Sequence, residues 1–332
     1  MQALVYEGPR QLAMREYAKP KPSKNEALVQ IERVGICGSD LHAYLGHDER
    51  RPAPLILGHE PAGVIASGPR AGERVAINPL VTCRQCRDCL DGRQNLCSQR
   101  EIISMPPREG AFAQFVAMPV DNLVTLPDAL AMNEAVIAEP MAVSHHAVRL
   151  GARALHRPIA TASVVIIGGG AIGLGAALVL RQWGVQRIIV LEANRQRAEV
   201  LRNEPDLEVL DPADLSIPST GIAELVVDAV GSEVTRSTAC RAARAGGVIM
   251  HVGLQTPTDG IDARRLTLQE ITLIGCYTYT AVDFMEVIDG LAQGRFGALA
   301  WIEERALAEG PQAFAEIAAG TCAAPKIILN PQ

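Results

Sequence analysis

Ser163-Val164-Val165-Ile166-Ile167-Gly168-Gly169-Gly170-Ala171-Ile172-Gly173 is the stretch that decides the fold. Four consecutive β-branched apolar residues read as a strand buried on both faces, as in a parallel sheet. The glycines that follow fit G-x-G-x-x-G. They permit a tight turn and let the backbone approach a pyrophosphate resting on the N-terminus of the next helix. An apolar helix over 171–183 and a second strand over 187–191 continue the unit. Glu192 then stands nineteen residues after Gly173, at the end of that strand. A carboxylate there accepts hydrogen bonds from ribose hydroxyls and repels a 2′-phosphate, so NAD is expected rather than NADP. Gly168, Gly170, Ile172, Gly173 and Glu192 are the cofactor-binding candidates. Arg197 joins them, although it and Arg195 could also welcome a phosphate.

The alternation of strands and helices continues outward. Strands are expected over 224–230, 247–252 and 271–275, a helix from about Val282, and a closing strand over 325–329. The run from Asp211 to Gly221 is too rich in proline for a full crossover helix. Residues 161–180 carry no charge over a membrane-like length, but five glycines and Arg181 directly after favour strand, turn and helix. The N-terminus has no basic patch before an apolar run, so a signal peptide is not expected and the cytoplasm is.

Composition agrees with a two-domain globular chain. The 332 residues are 48% hydrophobic and 20% charged, with aromatics at only 4%, so the core must be mostly Ala, Val, Ile and Leu. The formal net charge of −6 offers no basic excess for phosphate backbones, which argues against nucleic acid as a partner.

Four of the eight cysteines, Cys83, Cys86, Cys89 and Cys97, fall in the spacing C-x2-C-x2-C-x7-C. Four thiolates complete a tetrahedral shell, leaving no open position for chemistry, and a structural zinc is the expectation. An iron–sulfur centre and a redox pair are the minority readings. A second constellation lies upstream. Gly35-Ile36-Cys37-Gly38-Ser39-Asp40-Leu41-His42 follows a strand-like run over 27–34, and Gly58-His59-Glu60-Pro61-Ala62-Gly63 comes after it. Together they offer a thiolate, an imidazole and a carboxylate in two glycine-flanked turns.

With C-G-S-D-x-H, G-H-E-x-x-G, the four-cysteine lobe and the nucleotide fingerprint in this order, the chain resembles the zinc-dependent medium-chain dehydrogenases. That superfamily includes the alcohol, sorbitol and threonine dehydrogenases. The resemblance implies a fold of class α/β, with a GroES-like β-rich catalytic domain (1–140 and 290–332) around a Rossmann doubly wound parallel-sheet domain (141–289). It implies one catalytic and one structural zinc ion per chain, with NAD as cofactor. Cys37 and His59 become catalytic zinc ligands, and Glu60 a carboxylate that enters or leaves the shell. Glu139, in Ala138-Glu139-Pro140, stands where a further ligand or a water-holding carboxylate belongs. Ser39 is placed to hydrogen-bond the substrate hydroxyl, and His42 lies further along a proton path. Asp40 either orients His59 through a second-shell hydrogen bond or caps the following turn.

The implied reaction is oxidation of a secondary alcohol to a ketone, on a polyol, a sugar acid or a related hydroxy compound. The stretch Ile102–Phe112 and Tyr44 look like the wall of a polyol substrate site, whereas Thr278 stands where many sorbitol-type enzymes have Arg. Threonine and phosphorylated polyols remain open, as does a zinc- and NAD-binding scaffold without turnover. By the same resemblance the chain is expected to be a homo-oligomer, a tetramer or a dimer. His47, His156 and His251 are read as surface or packing residues. His145 and His146, adjacent on a helix, face different directions and are not expected to share a metal.

Overall fold

The computed structural model describes residues 1–213 and 221–332. Most of the proline-rich run expected to lack a crossover helix falls outside the described residues.

Six parallel strands form one sheet, in the order Leu207–Leu210, Arg187–Leu191, Ser163–Ile167, Ala223–Asp228, Ala243–His251, Thr272–Gly275. The strand that opens the nucleotide motif is central. Val164, Val165, Ile166 and Ile167 are all buried because helices cover both faces. A fully buried Val or Ile side chain contributes roughly 1.5–3 kcal/mol, so this strand anchors the unit. The helix Ala171–Gln182 follows the glycine turn. The long helix Ala138–Ala154 leads into the sheet, and the helix Ala281–Ala292 leaves it, packed against the long one.

The rest of the chain is mainly antiparallel. A larger sheet runs in the order Leu123–Thr125, Arg74–Ile77, Glu60–Ser67, Glu26–Gly35, Lys326–Asn330, Ile302–Ala306, with Phe115–Pro119 also paired to Glu26–Gly35. The expected closing strand is therefore real, and it lies beside Glu26–Gly35 with Ile328 opposite Gly35. Ile302–Ala306, which the sequence reading did not assign, pairs parallel with it at the edge. Its pattern is hard to read because Glu303, Glu304 and Arg305 interrupt the apolar positions.

Register does the positioning. Gly35 pairs with Glu60 across the sheet, so Cys37, two residues beyond, emerges next to His59. The same strand pairs Gly35 with Ile328, which brings Lys326 level with Cys37 from the other side. Three sequence-distant segments thus end at one point.

Candidate active site and metal centres

Cys37 precedes the short helix Gly38–Tyr44 as its N-cap. Of the two roles foreseen as alternatives for Asp40, the cap is made as a hydrogen bond by one carboxylate oxygen, while the other oxygen faces the His59 ring as a charge contact. Oδ2 accepts the Cys37 amide at 3.1 Å, capping the turn. Oδ1 lies 3.3 Å from His59 Nδ1 and accepts from the Gly58 amide and the Ser104 hydroxyl at 3.3 and 3.4 Å. Asp40 is fully buried, which alone would raise its pKa. His59, Arg51 and the Cys37 amide outweigh burial and hold it down at about 2. The carboxylate is thereby fixed in its charged form, and the histidine ring is oriented with Nε2 left for a metal.

The ligand atoms of Cys37, His59 and Glu60 all lie within 4.8 Å of one another. Glu60 Oε1 is buried and accepts no hydrogen bond among the described residues. A thiolate, an imidazole and a carboxylate converging in this way suit zinc. His59 is 5% exposed; burial opposes its charged form, while Asp40 and Cys37 favour it more strongly and raise its pKa.

Glu60 also makes an ion pair with Lys326, whose Nζ donates to the Ile36 carbonyl at 2.9 Å. Burial would deprotonate this lysine, but Glu60 and Cys37 keep its pKa raised. Gly35 makes room for the pair: a Cβ there would collide with the Glu60 carboxylate and stand 3.0 Å from Lys326 Cε. Lys326 was legible in principle as a lone cation at the head of an apolar strand. Nothing in the sequence pointed to Arg51, which is buried and donates to the Ser39 carbonyl at 2.6 Å and the Ser104 carbonyl at 3.0 Å.

Glu139 lies in the first turn of the long helix and is buried. Burial pushes its pKa up, His59 and Lys326 pull it down, Glu60 pushes it up again, and it settles at about 7. Tyr279, buried and stacked on Phe284 with ring centroids 5.5 Å apart, is the aromatic neighbour of Glu139. Burial and the Glu139 charge raise the Tyr279 pKa well above its ordinary value. Ser39 and His42 are half-buried on the helix after Cys37. Burial and the neighbouring His47 ring, at 5.3 Å, lower the His42 pKa.

The expected substrate wall is largely structural. Tyr44 is buried against Phe314, Ser104 is spent on Asp40, and Arg108 is paired with Glu101 and Glu26. Glu109 accepts from the Tyr17 hydroxyl and the Ile56 amide. Thr278 takes a left-handed φ of 46°, and its buried hydroxyl has no partner among the described residues.

The four cysteines of the lobe gather with all ligand atoms within 4.8 Å. The Gln85 and Cys86 amides stabilise the Cys83 thiolate and lower its pKa to about 6, whereas burial pushes the Cys89 thiol up to about 12. One cationic centre would reconcile these opposed tendencies, because a coordinating thiol is deprotonated outright. The Asn95 side chain donates to the Tyr277 carbonyl at 2.8 Å, tying the lobe to the segment after the last parallel strand.

In the nucleotide turn, Gly168 takes φ 92° and its amide donates to Leu191 O at 2.8 Å. A Cβ on Gly170, the N-cap of Ala171–Gln182, would meet nothing within 4 Å. One on Gly173 would strike the Gly168 carbonyl, so that position holds helix and turn together. Ile172 is half-buried and its carbonyl accepts from Ser144 Oγ at 2.8 Å. The Glu192 carboxylate accepts the Gly169 and Asn194 amides at 2.8 and 2.7 Å, with Arg197 Nη1 3.5 Å away. A carboxylate has about four acceptor positions, so acceptor capacity is left for ribose hydroxyls.

A dinucleotide-type parallel sheet joined to an antiparallel unit that carries both ligand clusters defines the zinc-binding dehydrogenase class. Residues 23–128 match the alcohol dehydrogenase GroES-like domain and residues 171–293 the zinc-binding dehydrogenase family. The chain is 32% identical over 311 residues to the L-galactonate-5-dehydrogenase of Escherichia coli K12, covering 90% of this chain and 89% of that one. It superposes with a TM-score of 0.86 on the L-idonate 5-dehydrogenase of E. coli, at 25% identity and coverage of 99% and 97%. A third likeness, also at TM-score 0.86 and 25% identity and covering 99% of each chain, is to an alcohol dehydrogenase of E. coli CFT073 complexed with NADH. The chain belongs to the zinc-dependent alcohol dehydrogenase family.

Proposed function

We propose that the chain oxidises a secondary hydroxyl of a sugar acid or related polyol to a ketone, with NAD taking the hydride. The observation that carries this reading is the convergence of Cys37, His59 and Glu60 beside Glu139, with Asp40 fixing the His59 ring. Cys37 and His59 would hold the catalytic zinc, Glu60 would exchange in and out of its shell, and Glu139 would act on it directly or through water. Cys83, Cys86, Cys89 and Cys97 would hold the structural ion. When bound, zinc supplies Lewis acidity that acidifies the substrate hydroxyl, and the nicotinamide supplies the hydride acceptor.

The protein's own residues handle the proton. The Ser39 hydroxyl would accept the substrate proton while releasing its own toward His42, whose lowered pKa favours the neutral ring that hands the proton on to water. Glu139, with a pKa of about 7, is tuned to exchange a proton in the same range. The pyrophosphate would rest on the turn at Gly168, Gly170, Ile172 and Gly173. Glu192 would take the ribose hydroxyls, with Arg197 braced against it. The relatives named for L-galactonate and L-idonate favour a sugar acid over a simple alcohol.

In this reading residues 1–140 and 290–332 form the catalytic domain and 141–289 the dinucleotide domain. A cytoplasmic location suits a chain whose metal ligands are thiolates; no helix among the described residues is long and apolar enough to cross a membrane. A homo-oligomer is the expected state, with a tetramer preferred to a dimer by resemblance alone; the edge strand Thr272–Gly275 supports only pairing with a second copy. Leu273 on that strand is 37% exposed and Leu268 just before it 65%.

The deciding experiment is NADH formation by zinc-loaded protein across polyols, sugar acids, phosphorylated polyols, diols and threonine. The sugar acids should stand well above the rest. Preference for another class would replace the substrate, and silence across the panel with NAD bound would favour a scaffold.

A further inference from the structure

Further along the long helix from Glu139, His145 and His146 meet a feature the sequence did not announce. Adjacent helical positions diverge by about 100°, yet both rings reach one carboxylate on the helix Ala281–Ala292. His145 Nδ1 is 3.1 Å from Asp283 Oδ1, and His146 Nδ1 is 2.9 Å from Oδ2. Asp283 is fully buried and also accepts from Arg149 Nη2 at 2.8 Å, the Thr280 amide at 2.9 Å and the Thr280 hydroxyl at 2.6 Å. Oδ2 carries most of these bonds, while Oδ1 accepts from His145 alone. Burial alone would raise its pKa, but the two histidines and Thr280 hold it well below the usual carboxylate range.

With Nδ1 committed to Asp283, the free nitrogen of His145 is Nε2. The residue is only 7% exposed, and Nε2 makes no hydrogen bond among the described residues. It faces Glu286 Oε2 at 3.6 Å, beyond hydrogen-bond range. His145 and Glu286 line a cavity of about 280 Å3, together with Trp183, Asp289 and Arg295. Two donors about 2.0–2.2 Å from one tetrahedral or octahedral ion stand roughly 3.0–3.4 Å apart. The half-exposed Glu286 therefore needs only a slight turn to share an ion with His145. Neither nearby arginine prevents this. Arg149 makes its short bonds to Asp283 and Thr280 and stands 4.0 Å from Glu286. Arg295 donates to the Gln293 side chain at 2.9 Å.

We propose that His145 Nε2 and Glu286, whose ligand atoms lie with that of Asp283 within 4.8 Å of one another, form a further metal site in the cavity that Asp289 also lines, separate from both clusters described above, for a divalent transition ion such as zinc. Asp283 is its positioning residue: it holds the ring through Nδ1, the arrangement by which a carboxylate orients a metal-bound histidine. The imidazole ligand selects zinc-like ions over calcium or magnesium. The ion would bridge the two helices, one of which carries Glu139 in its first turn while the other follows Tyr279. Because this bridge exists only in the folded chain, its occupancy stabilises the protein.

The test uses the holoprotein dialysed against micromolar free Zn2+, with bound metal counted by plasma emission. Wild type should hold one zinc ion more per chain than the double variant Glu286→Gln/Asp289→Asn, whatever number both hold elsewhere. Both changes lie on exposed positions of the helix, so retained NADH binding checks that the variant is folded. Added zinc should raise Tm in wild type and leave it unchanged in the double variant. Asp283→Asn should weaken the extra site about 10–100-fold. A zinc-soaked crystal should give an anomalous peak between His145 and Glu286. Equal metal counts, or an extra ion with no peak at that place, would overturn the proposal.

Discussion

The four-cysteine lobe and the Cys37–His59 centre use overlapping chemistry but are assembled in opposite ways. The lobe draws its four thiols from fifteen consecutive residues, through one short helix and one 3-10 turn. Cys83 and Cys86 are only half-buried, and no charged residue from a distant strand is needed to complete it. The other centre joins residues 37, 59, 60, 139 and 326, five positions from four chain segments, three of them brought together by strand register and the fourth, with Glu139, carried by the long helix. Its charges are almost all buried, and each is held by a partner: Asp40 by His59, Glu60 by Lys326. A closed site can be local because it only has to be saturated. An open one needs a rigid frame, since a vacant position must be kept against collapse.

That contrast can be broken most directly at Cys37. Cys37→Ser should reduce turnover about a thousandfold, the several kcal/mol that a Lewis acid supplies, while NADH binding by fluorescence and the melting temperature stay nearly unchanged. Comparable kcat would remove the metal from the reaction. In the lobe, Cys89→Ser should do the reverse. One zinc ion is lost and Tm falls by about 5–10 °C, with kcat at low temperature much less affected; a large loss of kcat without a fall in Tm would show that the lobe is not merely structural.

Asp40 sharpens the comparison through pH. Its folded pKa of about 2 lies below the ordinary 3.8, so the unfolded chain binds more protons between these values. The stabilisation is complete above about pH 4 and lost as pH falls through 2, about 2 kcal/mol in all. Acid unfolding of the chelated protein should follow this slope, and Asp40→Asn should flatten it. An unchanged slope would mean that the carboxylate is not held as described. The smallest effect is expected outside both metal centres. Glu192→Ala should raise KM for NAD about tenfold and narrow the preference over NADP, without changing the zinc count. Steady-state kinetics with both cofactors would read it, and an unchanged ratio would remove Glu192 from cofactor selection.

Much of this was legible in order along the chain. Ser163–Ile167 is a run buried on both faces, and the glycine turn can serve few purposes other than a sharp bend close to a ligand. The cysteine spacing carries its own geometry. Asp40 was readable as either cap or orienting group, but local sequence could not tell that each oxygen serves one role. The supposed substrate wall was misread in part, because Arg108, Glu109 and Tyr44 look available until their partners Glu26, Ile56 and Phe314 are seen.

The sequence by itself determined the parallel nucleotide unit, the four-thiol lobe and the types of donor group in the second cluster. Their signals lie in periodicity and short spacing, which are properties of neighbouring residues. Tertiary structure alone decided that Lys326 neutralises Glu60, that Arg51 underpins Ser39, that Glu139 titrates near 7, and that His145 and His146 share Asp283. Each of these depends on burial and on partners from distant segments. Electrostatic attraction becomes decisive only where folding has removed water.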